Sequence, residues 1–322
     1  MTVFTLIGEE IPTVREADLL TEDHPARDYP PKQPFRNSAW LRAGVFVGVM
    51  VVTVLLLISA WVAVTMTVSS VSGVARSLIE LISAVVAYIV LVFVMEARTR
   101  PTELEPGRLL GLIKGIGLGA ACVAICIGVL ALLGAYRVGE VDPGYFTSPA
   151  FATTLLTTVA AAGLAEEIIL RGVVFRLVEE GLGSWGGVAV SALIFGGLHL
   201  PNPDATVWGA VAIAIEGGIL FSAVYVITRS LWWCVGLHAA WNLVEGPIFG
   251  SIVSGTGTRS SWLQAQWSGP DILTGGQFGL EGSIVPVILL GGLGLFLLVY
   301  AQRRHIMVAP IWARKAALQP SR

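Results

Sequence analysis

The sequence predicts an all-α fold, a polytopic membrane bundle of about eight transmembrane helices. Three observations carry that prediction. The mean hydropathy is +0.77, with 55% hydrophobic and only 13% charged residues, which excludes an ordinary soluble globule. Charge is absent from 43–75 and again from 115–136, and each stretch exceeds the ~20 apolar residues that cross a bilayer core. Lysine and arginine also gather on alternate loops, as the positive-inside rule requires.

Taken in order, 1–40 is polar and proline-rich, and reads as a loose tail. Its apolar sequel begins too late and runs too long for a secretory signal. Trp40 and Arg42 mark the first membrane interface. Length and apolarity then place helices at 43–68, 75–95, 109–135, 149–178, 185–200, 205–228, 231–249 and 283–302. The fourth and fifth are the least hydrophobic, so hydropathy alone could pass over them. The membrane domain is expected to span 41–305 with its motif core at 149–250, followed by a C-terminal tail, 306–322. The linker from Ser251 to Gly282, rich in Gly and Ser with Trp262 and Trp267, is expected on the membrane surface.

With both termini in the cytoplasm, the inner side receives the basic residues of the tail, of 98–114, of the C-terminus, and Arg176 and Arg229. The outer side keeps only Arg76, Arg137 and Arg259. This orientation fits a bacterial inner membrane. The net charge of −2 gives no reason to expect a nucleic-acid partner. Cys122, Cys126 and Cys234 lie in apolar segments and read as small buried hydrophobes.

Ionisable residues in hydrocarbon are costly and usually have a task. Here they form three short patterns: Glu166-Glu167 with Arg171, Phe195 with His199, and His238 with Asn242. Glu167 and Arg171 are four apart, with the acid on the N-terminal side, the favourable order for a helical ion pair. Glu166 points about 100° away and lies over Ala162 and Gly163, which leave room for water and an extended peptide. Phe195 and His199 share a helix face, as do His238 and Asn242. Helical rise places Glu166, His199 and His238 roughly 10–20 Å from the cytoplasmic surface, between the inner half of the bilayer and its middle.

Peptide hydrolysis follows from these residue types. Glu166 takes a proton from water, His199 holds that water, and His238 and Asn242 offer N–H donors to a tetrahedral oxyanion. Glu167, Arg171 and Phe195 support them.

The patterns Glu-Glu-x-x-x-Arg, Phe-x-x-x-His and His-x-x-x-Asn, in that order on membrane helices, resemble the CPBP family. That family includes the type II CAAX prenyl endopeptidases and the bacterial Abi-type proteins. The likeness covers about Phe151 to Gly250 and implies an intramembrane endopeptidase acting on a membrane-associated peptide or protein. By it, Glu166 matches the catalytic glutamate, His199 its water-binding partner, and His238 with Asn242 the oxyanion pair. The stretches 231–250 and 278–283 look like a bacterial branch. Glu216 departs from the apolar residue expected of the wider family; it is either a substrate contact or a helix-pinning group.

The family is often described as metalloproteases. His199, His238 and Glu166 are a ligand set for zinc, but Asn242 is a poor zinc ligand and no His-Glu-x-x-His is present. The favoured reading therefore needs no cofactor. The alternatives are a non-proteolytic immunity or scaffold protein of the same fold, and a transporter. A transporter calls for inverted repeats and a polar path to both faces, and the sequence shows neither.

Overall fold

The computed structural model describes residues 38–65, 73–96, 101–105, 108–257 and 260–313. The expected N-terminal tail up to 37, Arg259 and the end of the C-terminal tail fall outside them. Among the described residues eight long helices form the bundle. They are α1 (Ala39–Thr65), α2 (Gly73–Met95), α3 (Leu110–Leu132), α4 (149–182), α5 (184–198), α6 (Val207–Thr228), α7 (231–248) and α8 (Ile284–Arg303). Each answers to one of the eight expected spans. Five of them, α1, α2, α3, α6 and α8, are long and apolar enough to cross a membrane. The protein is an integral membrane protein. The motif-bearing α4, α5 and α7 owe their place to their neighbours.

Gly183 ends α4. Its φ of 73° and ψ of 178° break the helix, and a side chain there would enter the backbone at Val308 and Ala309. Ser184 binds the same strand end to end: its N–H donates to Val308 O (2.9 Å), and its hydroxyl accepts from Val308 N–H (2.8 Å). Ile306, Met307 and Val308 are buried there, so the segment expected to begin a free tail is docked against the bundle.

The tightest crossing is between α3 and α7. Gly115 and Gly119, four apart, let α7 approach until a Cβ on either would strike the backbone carbonyls of Trp233 or Leu237. Gly236 does the same in reverse against Leu112. This contact fixes α7 immediately beside His238 and Asn242. Cys122, Cys126 and Cys234 fill the seam and are buried, as expected of small hydrophobes.

A second apolar cluster joins α2 to α4, through Ala84, Ala87, Tyr88 and Leu91 against Ala165, Ile168 and Val173. Helix α1 packs on α2 and leaves Val51, Leu55 and Leu56 exposed, as lipid-facing residues should be.

Helices α2, α4, α6 and α7 each contain wide turns with i→i+5 bonding: 90–95, 158–166 with 168–175, 214–219 and 244–248. Such turns insert an extra residue and re-aim side chains, commonly at functional sites. In α7 the change coincides with Pro247, which has no N–H to donate.

The segments outside the bundle hold what the all-helical reading did not contain. Strand β1 (Tyr136–Val141) pairs antiparallel with β2 (Leu263–Trp267), with Tyr136 opposite Trp267 and Val138 opposite Ala265. The linker from Ser251 onward folds back on the bundle as a cap. Leu280 N–H donates to Ser251 Oγ (2.9 Å), and Ser254, Leu280 and Glu281 are buried. It is therefore packed structure.

At the opposite end, buried ions tie the helices together. Arg42 of α1 is fully buried and pairs with Glu96 (3.1 Å) and Glu180. It thus anchors α1 inside the bundle, while Trp40 is 89% exposed. Arg176 forks onto both oxygens of Glu96 (2.8 and 2.7 Å), and Tyr88 donates to Glu103. Arg229 holds Glu179, and Arg108 donates to the carbonyls of Thr228 and Arg229. Arg42, Arg108, Arg176 and Arg229 thus gather at one end of the bundle.

Candidate active site

In α4 the two acids of the first motif part company as their helical angle requires. Glu167 is fully buried, and its Oε1 accepts from Arg171 Nη1 (3.0 Å) and meets His238 Nδ1 at 2.8 Å. Arg171 also donates to Gly218 O on α6 (3.3 Å), and its guanidinium lies 5.3 Å from the ring centres of both Phe195 and Phe221. The expected i,i+4 pair is present, and its carboxylate reaches a third helix.

That contact sets the tautomer of His238. With Nδ1 facing a carboxylate, Nδ1 carries the proton of the neutral ring and Nε2 holds the lone pair. His199 is organised alike. Its Nδ1 lies 2.7 Å from the carbonyl of Phe195, one turn back, which again leaves Nε2 free of that bond. The ring of Phe195 stands between the imidazoles, 4.8 Å from His199 and 5.6 Å from His238, edge to face with each. Phe195 is thus the spacer that sets where both histidines sit.

Glu166 faces a separate space, a cavity of about 200 Å³ that it shares with Asn242. Threonines 154, 157 and 158, with Ala161 and Ala162, line it from α4; Ser77 comes from α2. Ser251, Val253 and Thr256 close it from the cap. The small residues before Glu166 leave the space that their size implied. Glu166 Oε2 and Asn242 Oδ1 are both buried and have no hydrogen-bond partner. Glu166 lies mid-way along α4, and its cavity runs toward the cap, away from the arginine-rich end.

The structure therefore brings the site residues together in two groups. Glu166 and Asn242 share the cavity. His199, His238, Phe195, Glu167 and Arg171 form a contiguous cluster joined to it through the Glu166–Glu167 peptide and one turn of α7. Glu216 is fully buried, with neither carboxylate oxygen hydrogen-bonded, and does not line the cavity.

Among the described residues no three His, Cys, Asp or Glu side chains converge as metal ligands.

Two acids escaped sequence reasoning. Glu281, on the cap, accepts from Trp241 Nε1 (3.1 Å) and Ser254 Oγ (2.6 Å) and lies within electrostatic range of both histidines. Burial pushes its carboxyl above the usual carboxylate range. Glu80 of α2 lies within electrostatic range of Glu166. Glu80 stands in no motif, and Glu281 figures only as part of the stretch 278–283.

Residues 148–244 match the family model described as type II CAAX prenyl endopeptidase Rce1-like. Over that segment the chain is similar to this family, a likeness that supports a CAAX-type intramembrane protease in general. No match was found among curated proteins.

Proposed function

We propose that the protein is an intramembrane endopeptidase that hydrolyses a peptide bond of a membrane-associated protein or peptide, with Glu166 as the base. The observation that carries this reading is the contrast between adjacent carboxylates. Glu167 gives one oxygen to both Arg171 and His238, whereas Glu166 makes no hydrogen bond or ion pair among the described residues and opens onto a cavity. A half-buried acid kept free of structural partners is poised to bind water and accept its proton.

Water then adds to the substrate carbonyl. His199, through Nε2, holds the water, and Asn242 donates an N–H to the oxyanion from the cavity wall. His238 is held beside the oxyanion by its bond to Glu167. The C–N bond breaks, and the proton held by Glu166 passes to the leaving amine. The cavity offers hydroxyls and small apolar groups and no described charge besides Glu166, so it suits an extended, uncharged peptide.

In this reading the arginine-rich end faces the cytoplasm of a bacterial inner membrane, with both termini inside. No cofactor is needed. Comparative analysis of released and membrane-bound peptides, wild type against Glu166→Gln, tests the activity. Peptides that accumulate intact only in the variant support it; identical peptide profiles overturn it. Exhaustive chelation of the purified protein should leave turnover unchanged, and loss restored by zinc would make the histidines metal ligands.

A further inference from the structure

His199 ends α5, while His238 and Asn242 stand on α7. The two helices meet at the Phe195 ring, whose centre is 5.6 Å from that of His238. A ring contact limits how close the helices come. Hydrogen bonds also have direction, and a continuous set of them joins the same two helices through the cap.

Each link is short. The carbonyl of His199 accepts from Asn202 N–H (3.1 Å), and Asn202 Nδ2 donates to Ser254 O on the cap (2.7 Å). Ser254 Oγ donates to Glu281 Oε2 (2.6 Å), and Glu281 Oε1 accepts from Trp241 Nε1 on α7 (3.1 Å). Trp241 immediately precedes Asn242 and lies one turn on from His238. Its ring stands edge-on to Phe221 at 5.5 Å, and Phe221 lies 5.0 Å from the His238 ring. The chain thus runs from the histidine of α5 to the polar face of α7, and Asn202, Ser254, Glu281 and Trp241 all lie outside the cavity wall.

Glu281 is the branch point. It is buried, as are Trp241 and Ser254. A buried indole N–H can only donate, so its partner must accept, and a carboxylate has a second oxygen to give to the cap. Ser254 is held for that bond at φ 50°, a left-handed conformation that serine seldom adopts and that persists only where its surroundings impose it. The next residue adds a second tie: Gly255 O accepts from Asp204 N–H (3.0 Å), and Gly255 N–H donates to Phe278 O (2.8 Å). The turn after His199 is therefore pinned to the cap twice, and the cap to α7 through Glu281.

We infer that Glu281 is a positioning residue: by joining the cap to Trp241 it sets the place of His199 relative to His238 and Asn242. Glu281 touches no reacting atom and acts through these three. The kinetic consequence rests on the proteolytic reading, whereas the linkage itself does not. In that reading the water held by His199 has to reach Glu166 while the carbonyl it attacks meets Asn242. A misplacement of about 1 Å between such groups can cost about 10²-fold in rate.

The first test needs no substrate. In full-length protein labelled with ¹⁵N-histidine and embedded in lipid nanodiscs, the side-chain resonances report the surroundings of each imidazole. Glu281→Leu leaves the Trp241 N–H and the Ser254 hydroxyl without their acceptor, and should move the His199 and His238 signals. His305, exposed at the far end of α8, should stay in place. Trp241→Phe keeps the ring on Phe221 and deletes one N–H, so it should move the same signals even if Glu281→Leu fails to fold. Glu281→Gln still accepts from Trp241 and can donate to Ser254 Oγ, and should restore the wild-type spectrum. His199 and His238 signals unmoved by Trp241→Phe, or unrestored in Glu281→Gln, would overturn the linkage.

With a cleavable substrate, Glu281→Leu should lower kcat about 10²-fold at little-changed KM. Trp241→Phe should cost about 10-fold, the worth of one hydrogen bond. The double variant should be no slower than Glu281→Leu, because the second change breaks a link already lost. Glu281→Gln should recover most of the rate. Losses that multiply in the double variant, or a Glu281→Gln protein as slow as Glu281→Leu, would overturn the positioning role. Signals that move as expected in a protein that cleaves nothing would support the linkage and sink the protease reading alone.

Discussion

Two buried polar clusters lie at different heights in this bundle, and they are finished differently. At the arginine-rich end, Arg42, Glu96, Arg176, Glu179, Glu180 and Arg229 form ion pairs that join α1, α2, α4 and the α6–α7 turn. At mid-bundle, Glu166 and Glu216 make no ion pair among the described residues, although both clusters leave some buried polar atoms without partners. Both clusters cost desolvation, but only the first offsets it with opposite charge. The contrast separates architecture from chemistry: paired ions hold helices in register, and an unpaired acid beside a cavity is available to react.

The largest expected effect breaks the unpaired cluster. Glu166→Gln should lower turnover by about 10²–10⁴-fold with folding intact, because the amide keeps shape but cannot take a proton. Steady-state cleavage and a thermal melt in detergent read the two halves of that statement. A well-folded, fully active Glu166→Gln protein would assign the chemistry elsewhere.

Breaking the paired cluster should do the reverse. Arg176→Met leaves Glu96 with a weakened ion set, and loss of one partner of a buried pair costs about 3–5 kcal/mol. Yield and melting temperature should fall, while the fraction that folds keeps its specific activity. A drop in specific activity at unchanged stability would give this end a role in the reaction.

Asn242→Ala comes next. One oxyanion donor is typically worth about 10²–10³ in rate, so residual cleavage should remain measurable. Complete inactivity, as in Glu166→Gln, would mean that Asn242 does more than donate one hydrogen bond.

The smallest effect concerns the cap. Burial raises the Glu281 carboxyl above its unfolded value of about 4.3. Its contribution to stability is therefore full below that value and is lost as pH rises through the folded one. Melting temperature should decline gently from mildly acidic to alkaline pH, and Glu281→Gln should flatten the decline. An equal slope in both proteins would remove Glu281 as its source.

Much of this was legible in the chain. Eight apolar stretches stand out in an apolar solvent because each helix must satisfy its own backbone, and a span of about 20 residues is a local property. The Glu167–Arg171 pair and the stacking of Phe195 on His199 are likewise one-turn relations, fixed by helical geometry. The cap was not legible as structure, because β1 and β2 are more than a hundred residues apart and neither has a partner nearby in sequence.

What the sequence by itself determined is therefore the helices, the family likeness and the residue types able to do chemistry. The tertiary structure alone decided which acid is spent and which is free. Glu166 and Glu167 are chemically identical neighbours, and only helix packing gives Glu167 a histidine from α7 and Glu166 a cavity. It likewise decided that Glu281 returns from the cap to within electrostatic range of the histidines. Spacing along one helix is written in the chain; which helix faces which depends on glycine seams and buried ions contributed by distant segments. Those become visible only when the bundle is assembled.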